Sequence, residues 1–405
     1  MVRDVTSPSI DDLRAAFLRH LCQTSPQPLG IVVARARGAR IWDRDGRDYL
    51  DLLSGMGVAN IGHAHPAVIG AIAAQAEAYL HVMVYGEMVQ APQVELARRL
   101  AGIAPGGLSV VYFTNSGTEA VEGALKTARK FTGRPHFIAF EGAFHGDTFG
   151  ALSVGGNPLY RRPFEPLLPE VTFIPFDDAA ALERIDASVA AVIVEPIQGE
   201  GGVRIPRDGF LAALRRRCTA VGALLIADEV ITGFGRTGRM FACQHWEVVP
   251  DILVLAKAVG GGMPLGAFVG VPHVMATLSQ DPPLAHVSTF GGHPVSCAAG
   301  LAALDVLVNE RLAERAASVG AAWRAELQVL TGGVLHEVRG KGLLLALELT
   351  TPEATRRFVA RCFERGLIVN WTLHRDTVVR LAPPLVITTE EVAQATDIIA
   401  GALRE

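Results

Sequence analysis

Short runs of consecutive apolar residues, each closed by a charge or a glycine turn, recur through the first three quarters of the chain. Leu224-Leu225-Ile226-Ala227 ends on Asp228-Glu229, and Ile252-Leu253-Val254-Leu255-Ala256 ends on Lys257. A run of this length with polar ends reads as a strand buried on both faces of a parallel sheet. Seven such strands are expected, at 109–113, 136–140, 171–175, 189–194, 222–228, 251–256 and 266–271, with helical periodicity between most of them. That alternation predicts an α/β fold with helices on both sides of a mostly parallel sheet. Beyond Gly300 the pattern changes to one long Ala-rich helix over 300–330, strands near 334–349 and 376–381, and helices near 353–365 and 389–403. This ordering is expected of a smaller α+β domain.

The ends of the chain follow the same logic. Residues 9–22 carry Leu13, Phe17, Leu18 and Leu21 on one stripe, which predicts a short amphipathic helix. Ala39–Asp51 reads as a hairpin around Asp43-Arg44-Asp45-Gly46. Gly62-His63-Ala64-His65-Pro66 reads as a turn before a helix at 67–80. We divide the chain into an N-terminal segment (1–45) packing with the small domain, a large ligand-binding domain (46–300) and the small C-terminal domain (301–405).

Composition narrows the partners. The chain has 405 residues, half of them hydrophobic, with 37 basic and 41 acidic side chains, so nothing in it asks for nucleic acid or an anionic membrane. The five cysteines are scattered and never in a CxxC pair, as expected of a reducing, cytoplasmic compartment without a disulfide frame. The first twenty residues carry charges where a secretion signal needs an apolar run. His63 and His65 have no acid or thiol at ligand spacing, so a turn is expected there and no metal.

Chemistry concentrates where strands end, which is where open α/β sheets place their ligands. Asp228 and Lys257 close neighbouring strands. A carboxylate beside a primary amine suits pyridoxal phosphate (PLP), whose aldehyde joins a lysine and whose pyridine nitrogen is held by an acid. Asn115-Ser116-Gly117-Thr118-Glu119 leaves a strand and opens a helix, so its free amides make a phosphate site. A plain capping box from Ser116 to Glu119 fits the same residues, and a surface pair from Glu122 to Lys126 is expected one turn on. Phe144, before His145 and Gly146, could cover a ring, although a core Phe and a hydrogen-bonded loop His are the bland alternatives. Glu195 and Glu200 flank Gln198-Gly199 at another strand end, and the alternative there is an acid at a helix N-terminus. Arg380, inside an apolar strand, needs an anion, either a protein acid or a substrate carboxylate. Gly233-Phe234-Gly235-Arg236-Thr237-Gly238 is a literal dinucleotide fingerprint. Asp228 and Glu229 stand just before it and would repel phosphates, and no long amphipathic helix follows, so a nicotinamide dehydrogenase is the weaker reading.

Taken in order, SGTEA, FHG, EPIQGEGG, DEV-x-TGFGRTG, the lysine before AVGGGMPLGA, STFGGHP and VRLAPPLVIT resemble the class III, fold type I, PLP-dependent aminotransferases, such as ornithine, acetylornithine and putrescine aminotransferases. The resemblance spans roughly residues 30–400. It implies that Lys257 joins the cofactor aldehyde and that Asp228 keeps the pyridine nitrogen protonated. It further implies that Ser116, Gly117 and Thr118 bind the phosphate, that Phe144 and Val230 sandwich the ring, and that His145 and Glu195 belong to the same cofactor site. Thr289 would reach the phosphate of the partner subunit's cofactor in a homodimer. Arg380 would hold an α-carboxylate, and Glu200 would pair with Arg380 when the bound amine lacks one. Two positions depart from the pattern. Asp147 stands where many members carry a carboxylate-binding Arg, and would instead attract an ammonium or cap a turn. Ile231 stands where many carry a Gln near the cofactor's phenolic oxygen. The implied reaction is transamination from an ω-amino acid, diamine or related amine to a 2-oxoacid. A PLP-dependent aminomutase or lyase on the same fold is the nearest alternative, and a catalytically silent binding protein leaves the lysine–acid pair without a purpose.

Overall fold

The computed structural model describes residues 9–404. Seven strands form the central sheet: β1 (Val110–Thr114), β2 (His136–Phe140), β3 (Val171–Ile174), β4 (Val189–Val194), β5 (Leu224–Asp228), β6 (Ile252–Leu255) and β7 (Gly266–Gly270). They lie in the order β1-β7-β6-β5-β4-β2-β3. All pairings are parallel except those of β7, which runs antiparallel to both neighbours. Every residue of β4, β5, β6 and β7 is buried, as near-continuous apolar runs require when helices cover both faces. The expected strands lie within two residues of those observed.

Register places the chemistry. Val194 pairs with Ala227, so Glu195 and Asp228 emerge in the same rank at the carboxyl edge. Asp228 pairs with Val254, so the chain leaving β6 carries Lys257 just above it.

The last third builds a second, antiparallel sheet of Leu335–Lys341, Leu344–Leu349, Arg375–Leu381 and Asn370–Thr372. Helices Leu312–Gln328, Pro352–Glu364 and Thr389–Arg404 accompany it. Trp323 is buried there with its indole N–H donating to Thr396 (3.0 Å). The N-terminal hairpin, Arg40–Asp43 with Asp48–Asp51, joins this region because Asp48–Asp51 pairs in parallel with Leu367–Ile368.

Three local expectations are corrected. The single helix over 300–330 is two, Pro294–Asn309 and Leu312–Gln328, because the chain breaks at Arg311 in the left-handed region (φ 52°). The strand near 334–349 is a hairpin that turns at Gly342 (φ 57°). Glu122 does not pair with Lys126. It turns inward to accept from Thr148 Oγ1 and the amides of Gly150 and Ala151, while Lys126 meets His286. Fixed local donors outcompete a solvated helix pair worth only a few tenths of a kcal/mol. The helix Ile10–His20 forms, but none of its residues is buried within the chain. No helix among the described residues is long and apolar enough to cross a membrane.

Candidate active site

A cavity of about 420 Å³ opens at the carboxyl edge of β1, β4, β5 and β6. Among the residues lining it are Ser116, Gly117, Thr118, Phe144, His145, Glu195, Glu200, Asp228, Val230 and Lys257. Ten of the thirteen residues singled out from the sequence therefore meet in one place. Arg380 stands directly behind Glu200. Asp147 and Thr289 are exposed and do not line the cavity.

At one end lies the turn from β1 into the helix Gly117–Thr132. Ser116 is its N-cap and accepts the Glu119 amide (3.3 Å). The capping box is only half made, because the Glu119 carboxylate accepts from the Asn115 amide (2.8 Å) rather than from Ser116. First-turn amides without helical acceptors face the cavity end, a suitable cradle for a phosphate. Backbone packing there is close. A Cβ on Gly117 would lie 3.2 Å from Val230 and Ala256, and one on Gly146 (φ 120°) only 2.4 Å from Thr118 Oγ1.

Asp228 sits at the far side, 4% exposed. One carboxylate oxygen meets His145 Nδ1 (2.7 Å) and the other accepts the Val230 amide (3.0 Å). The buried Nε2 of His145 has no hydrogen-bond partner among the described residues. Glu195 accepts the amides of Phe144 (3.0 Å) and Gly199 (2.8 Å). Burial pushes its carboxyl up to about 7, with the Asp228 charge adding to the effect and the imidazole and two amides opposing it. Phe144 is thus aimed by a carboxylate on its own backbone N–H.

Lys257 follows β6 in the left-handed region (φ 51°), strain of the kind that collects at functional sites. Its amine has no ion-pair partner among the described residues. Burial, and next the Arg380 charge, hold that amine below the usual lysine range, against the pull of Glu200, Asp228 and Glu195. A proton is therefore easily given up at Nζ, as a nucleophilic or proton-carrying lysine requires.

Arg380 is 1% exposed and pairs with Glu200, and its second Nη contacts Met56 Sδ (3.5 Å). Its buried Nε is without a partner among the described residues. Burial works against the Glu200 charge, but Arg380 and the Leu373 amide outweigh it, so the Glu200 carboxyl lies below its ordinary value.

The glycine fingerprint at 233–238 serves packing. A Cβ on Gly238 would lie 2.8 Å from Ala317, and one on Gly235 3.2 Å from Ala313. Arg236, fully buried between them, donates to the carbonyls of Leu343 and Pro383, to Ser54 Oγ (3.2 Å) and to Asn60 Oδ1 (2.6 Å). That turn presents no cradle for a pyrophosphate. His63 and His65 are structural too, His63 bonded to Asp51 (2.8 Å) and His65 capping the helix Pro66–Ala78.

Sequence reasoning missed Val58, Met263 and Leu265 in the cavity wall and the hairpin tip Leu373-His374 behind Glu200. Met263 and Leu265 lie within the AVGGGMPLGA stretch without having been singled out there, whereas Val58, Leu373 and His374 belong to no motif and only tertiary packing brings them in.

The donor set fits PLP: an amine free to react, a buried acid with an imidazole behind it, an aromatic wall, and a glycine-bounded helix N-terminus for a phosphate. Comparison with known proteins agrees. The family model for aminotransferase class-III matches residues 22–403. Acetylornithine aminotransferase of Methanopyrus kandleri is 46% identical over 92% of this chain and 94% of its own length. Putrescine aminotransferase of Pectobacterium atrosepticum is 45% identical over 90% and 81% respectively. The solved ornithine aminotransferase of Toxoplasma gondii, described with PLP at partial occupancy in its active site, superposes with a TM-score of 0.91 at 37% identity, covering 98% of this chain and 94% of that one. A cavity built around an unpaired lysine and a buried aspartate, on a chain matched almost end to end, places this protein in the class-III aminotransferase family, as a PLP-dependent aminotransferase.

Proposed function

We propose that this aminotransferase takes its amino group from an ω-amino acid, diamine or related amine and passes it to a 2-oxoacid such as pyruvate or 2-oxoglutarate. The observation that carries this reading is the buried Arg380–Glu200 pair set against the cavity that holds Lys257. A closed pair presents a neutral wall to an amine-bearing chain end, and an opened one presents a guanidinium fork to a carboxylate. Relatives named for acetylornithine and putrescine at similar identity support a donor of this class.

When bound, PLP supplies an aldehyde to hold the amine and a ring that takes up electron density from the carbon beside it. The chain's own residues do the rest. Ser116, Gly117 and Thr118 anchor the phosphate. Phe144 and Val230 confine the ring. Asp228, oriented by His145, keeps a proton at the pyridine nitrogen, and Glu195 holds the Phe144 loop in place. Lys257 Nζ would take up and hand on the proton released at the substrate carbon. Ile231 offers no hydrogen bond to the phenolic oxygen. Asp147, on the exposed rim, adds a negative potential that favours cationic donors.

The active unit is taken to be a cytoplasmic homodimer. Leu80, Met88, Val89, Val287 and Phe290 are exposed, Val89 at 93%, and His81 packs on Phe290 (4.8 Å) to join the two segments. Exposed apolar side chains of this kind suit an interface with a second copy, and Thr289 beside them would reach the cofactor phosphate of that second subunit. The large domain is taken as residues 46–300 and the small one as 301–405 with the N-terminal segment 1–45.

A donor–acceptor panel on the purified yellow protein tests the assignment. Free 2-oxoacid consumption with diamine or ω-amino acid donors is expected. Rearranged product without any free oxoacid would instead identify an aminomutase.

A further inference from the structure

We propose that the hairpin tip Leu373-His374 latches Glu200, with His374 as the positioning residue, so that a substrate carboxylate can take Arg380 without stranding a buried anion. The inference rests on the carboxylate role of Arg380 given above and extends it to residues that no motif marks.

Glu200 is held from two sides. One carboxylate oxygen meets Arg380, and the other accepts the Leu373 amide (2.8 Å). Its backbone carbonyl accepts the His374 amide (3.1 Å). A buried carboxylate robbed of its only cationic partner is strongly disfavoured. Here the second donor is already in place before the pair opens. Arg380 can therefore turn to a substrate carboxylate while Glu200 keeps a charge-assisted hydrogen bond.

That amide is useful only if the tip stays put, and the tip is tied down by side chains. His374 Nδ1 lies 3.1 Å from the Gly142 carbonyl and so carries its proton there. Its ring stacks on Tyr160 (5.2 Å) and meets Phe144 edge-on (5.8 Å). Tyr160 closes the loop by donating to the Leu373 carbonyl (2.8 Å). Removing the imidazole frees the tip, weakens the Leu373 donor and leaves Glu200 dependent on Arg380. Carboxylate-bearing ligands would then compete against a tighter pair, whereas donors lacking that carboxylate would see the closed pair unchanged.

The test compares holoenzyme variants by calorimetric binding of glutarate, an unreactive dicarboxylate, and by KM for a simple diamine. His374→Ala is expected to raise the glutarate Kd about fivefold, with the diamine KM within about twofold. His374→Asn, whose amide can still donate to the Gly142 carbonyl, is expected to recover most of the loss. Equal losses for both ligands, or an unchanged glutarate Kd, would overturn the latch. If the alanine variant does not fold, His374→Phe keeps the ring and removes the donor, and the same contrast applies. A wild-type protein that binds glutarate but transaminates nothing would defeat the functional reading while leaving the latch to stand or fall on binding.

Discussion

Among the described residues two arginines, Arg236 and Arg380, are almost wholly withdrawn from solvent, and they teach opposite lessons. Arg236 gives its donors to two backbone carbonyls, a serine and an asparagine. All four acceptors are neutral and fixed. Burial, with the Arg380 charge behind it, lowers its guanidinium to about 9. It joins the turn after β5 to the second sheet and to the 54–60 segment. Arg380 has one ionic partner and a sulfur contact, beside a cavity; the Nε of each arginine is buried without a partner among the described residues. The first side chain is committed to the fold. The second is held in a single ion pair beside a cavity, a pairing that on the proposed reading a substrate carboxylate would replace. Burial alone therefore does not mark function; an exchangeable partner next to open volume does.

The largest expected effect comes from the group with least structural commitment. Lys257→Ala should lower kcat by on the order of 10⁴-fold while leaving the thermal midpoint of the apoenzyme unchanged or higher, since a buried amine without an ion pair is removed. Borohydride treatment followed by peptide mapping should label the wild type at Lys257 and the variant nowhere. A label on another lysine would end the assignment. Arg236→Met should behave in reverse. Leaving several buried acceptors unpaired should cost about 3–5 kcal/mol in urea unfolding, with KM values of the folded fraction little changed. If Arg236→Met shifted substrate selectivity instead, the division between the two arginines would fail.

Replacing Arg380 alone would leave the buried Glu200 charge with only the Leu373 amide and no cation, so the cleaner change is the pair Arg380→Met with Glu200→Gln. We expect KM for the 2-oxoacid to rise roughly 10–100-fold and KM for a monoamine donor to stay near its wild-type value. Steady-state kinetics with both substrates decides this. A uniform loss would mean that the pair supports the cavity rather than reads the substrate.

The contrast also shows what the chain made legible. Apolar runs that end on charges located the strands of the sheet, and with them Asp228, Glu195 and Lys257, because parallel pairing brings strand ends to one edge whatever lies between. The 233–238 turn shows the limit of a motif. Its glycines match a dinucleotide fingerprint, yet they are small because Ala313 and Ala317 of a distant helix press against them. Glu122 was expected on the surface for the same reason, since helical spacing does not show that Thr148 and Gly150 fold back over it. His374 carried no signal at all. Its value comes from three contacts, to Gly142, Phe144 and Tyr160, each more than two hundred residues away in the chain.

The smallest effect is expected where charge meets solvent. Asp147 is exposed and does not line the cavity, so the pull proposed for it on a cationic donor would act only through its field. Exposed charges are screened within about 8–10 Å at physiological salt. Asp147→Ala should therefore lower the preference for a diamine over a monoamine of equal length by only about two- to threefold at low ionic strength, and the difference should vanish in roughly 0.5 M salt. Competition assays at the two salt concentrations measure this directly. A loss that survives high salt would mean that Asp147 touches the substrate once a second subunit covers the rim, and the distinction between buried and exposed charges would then belong to the dimer rather than to the chain.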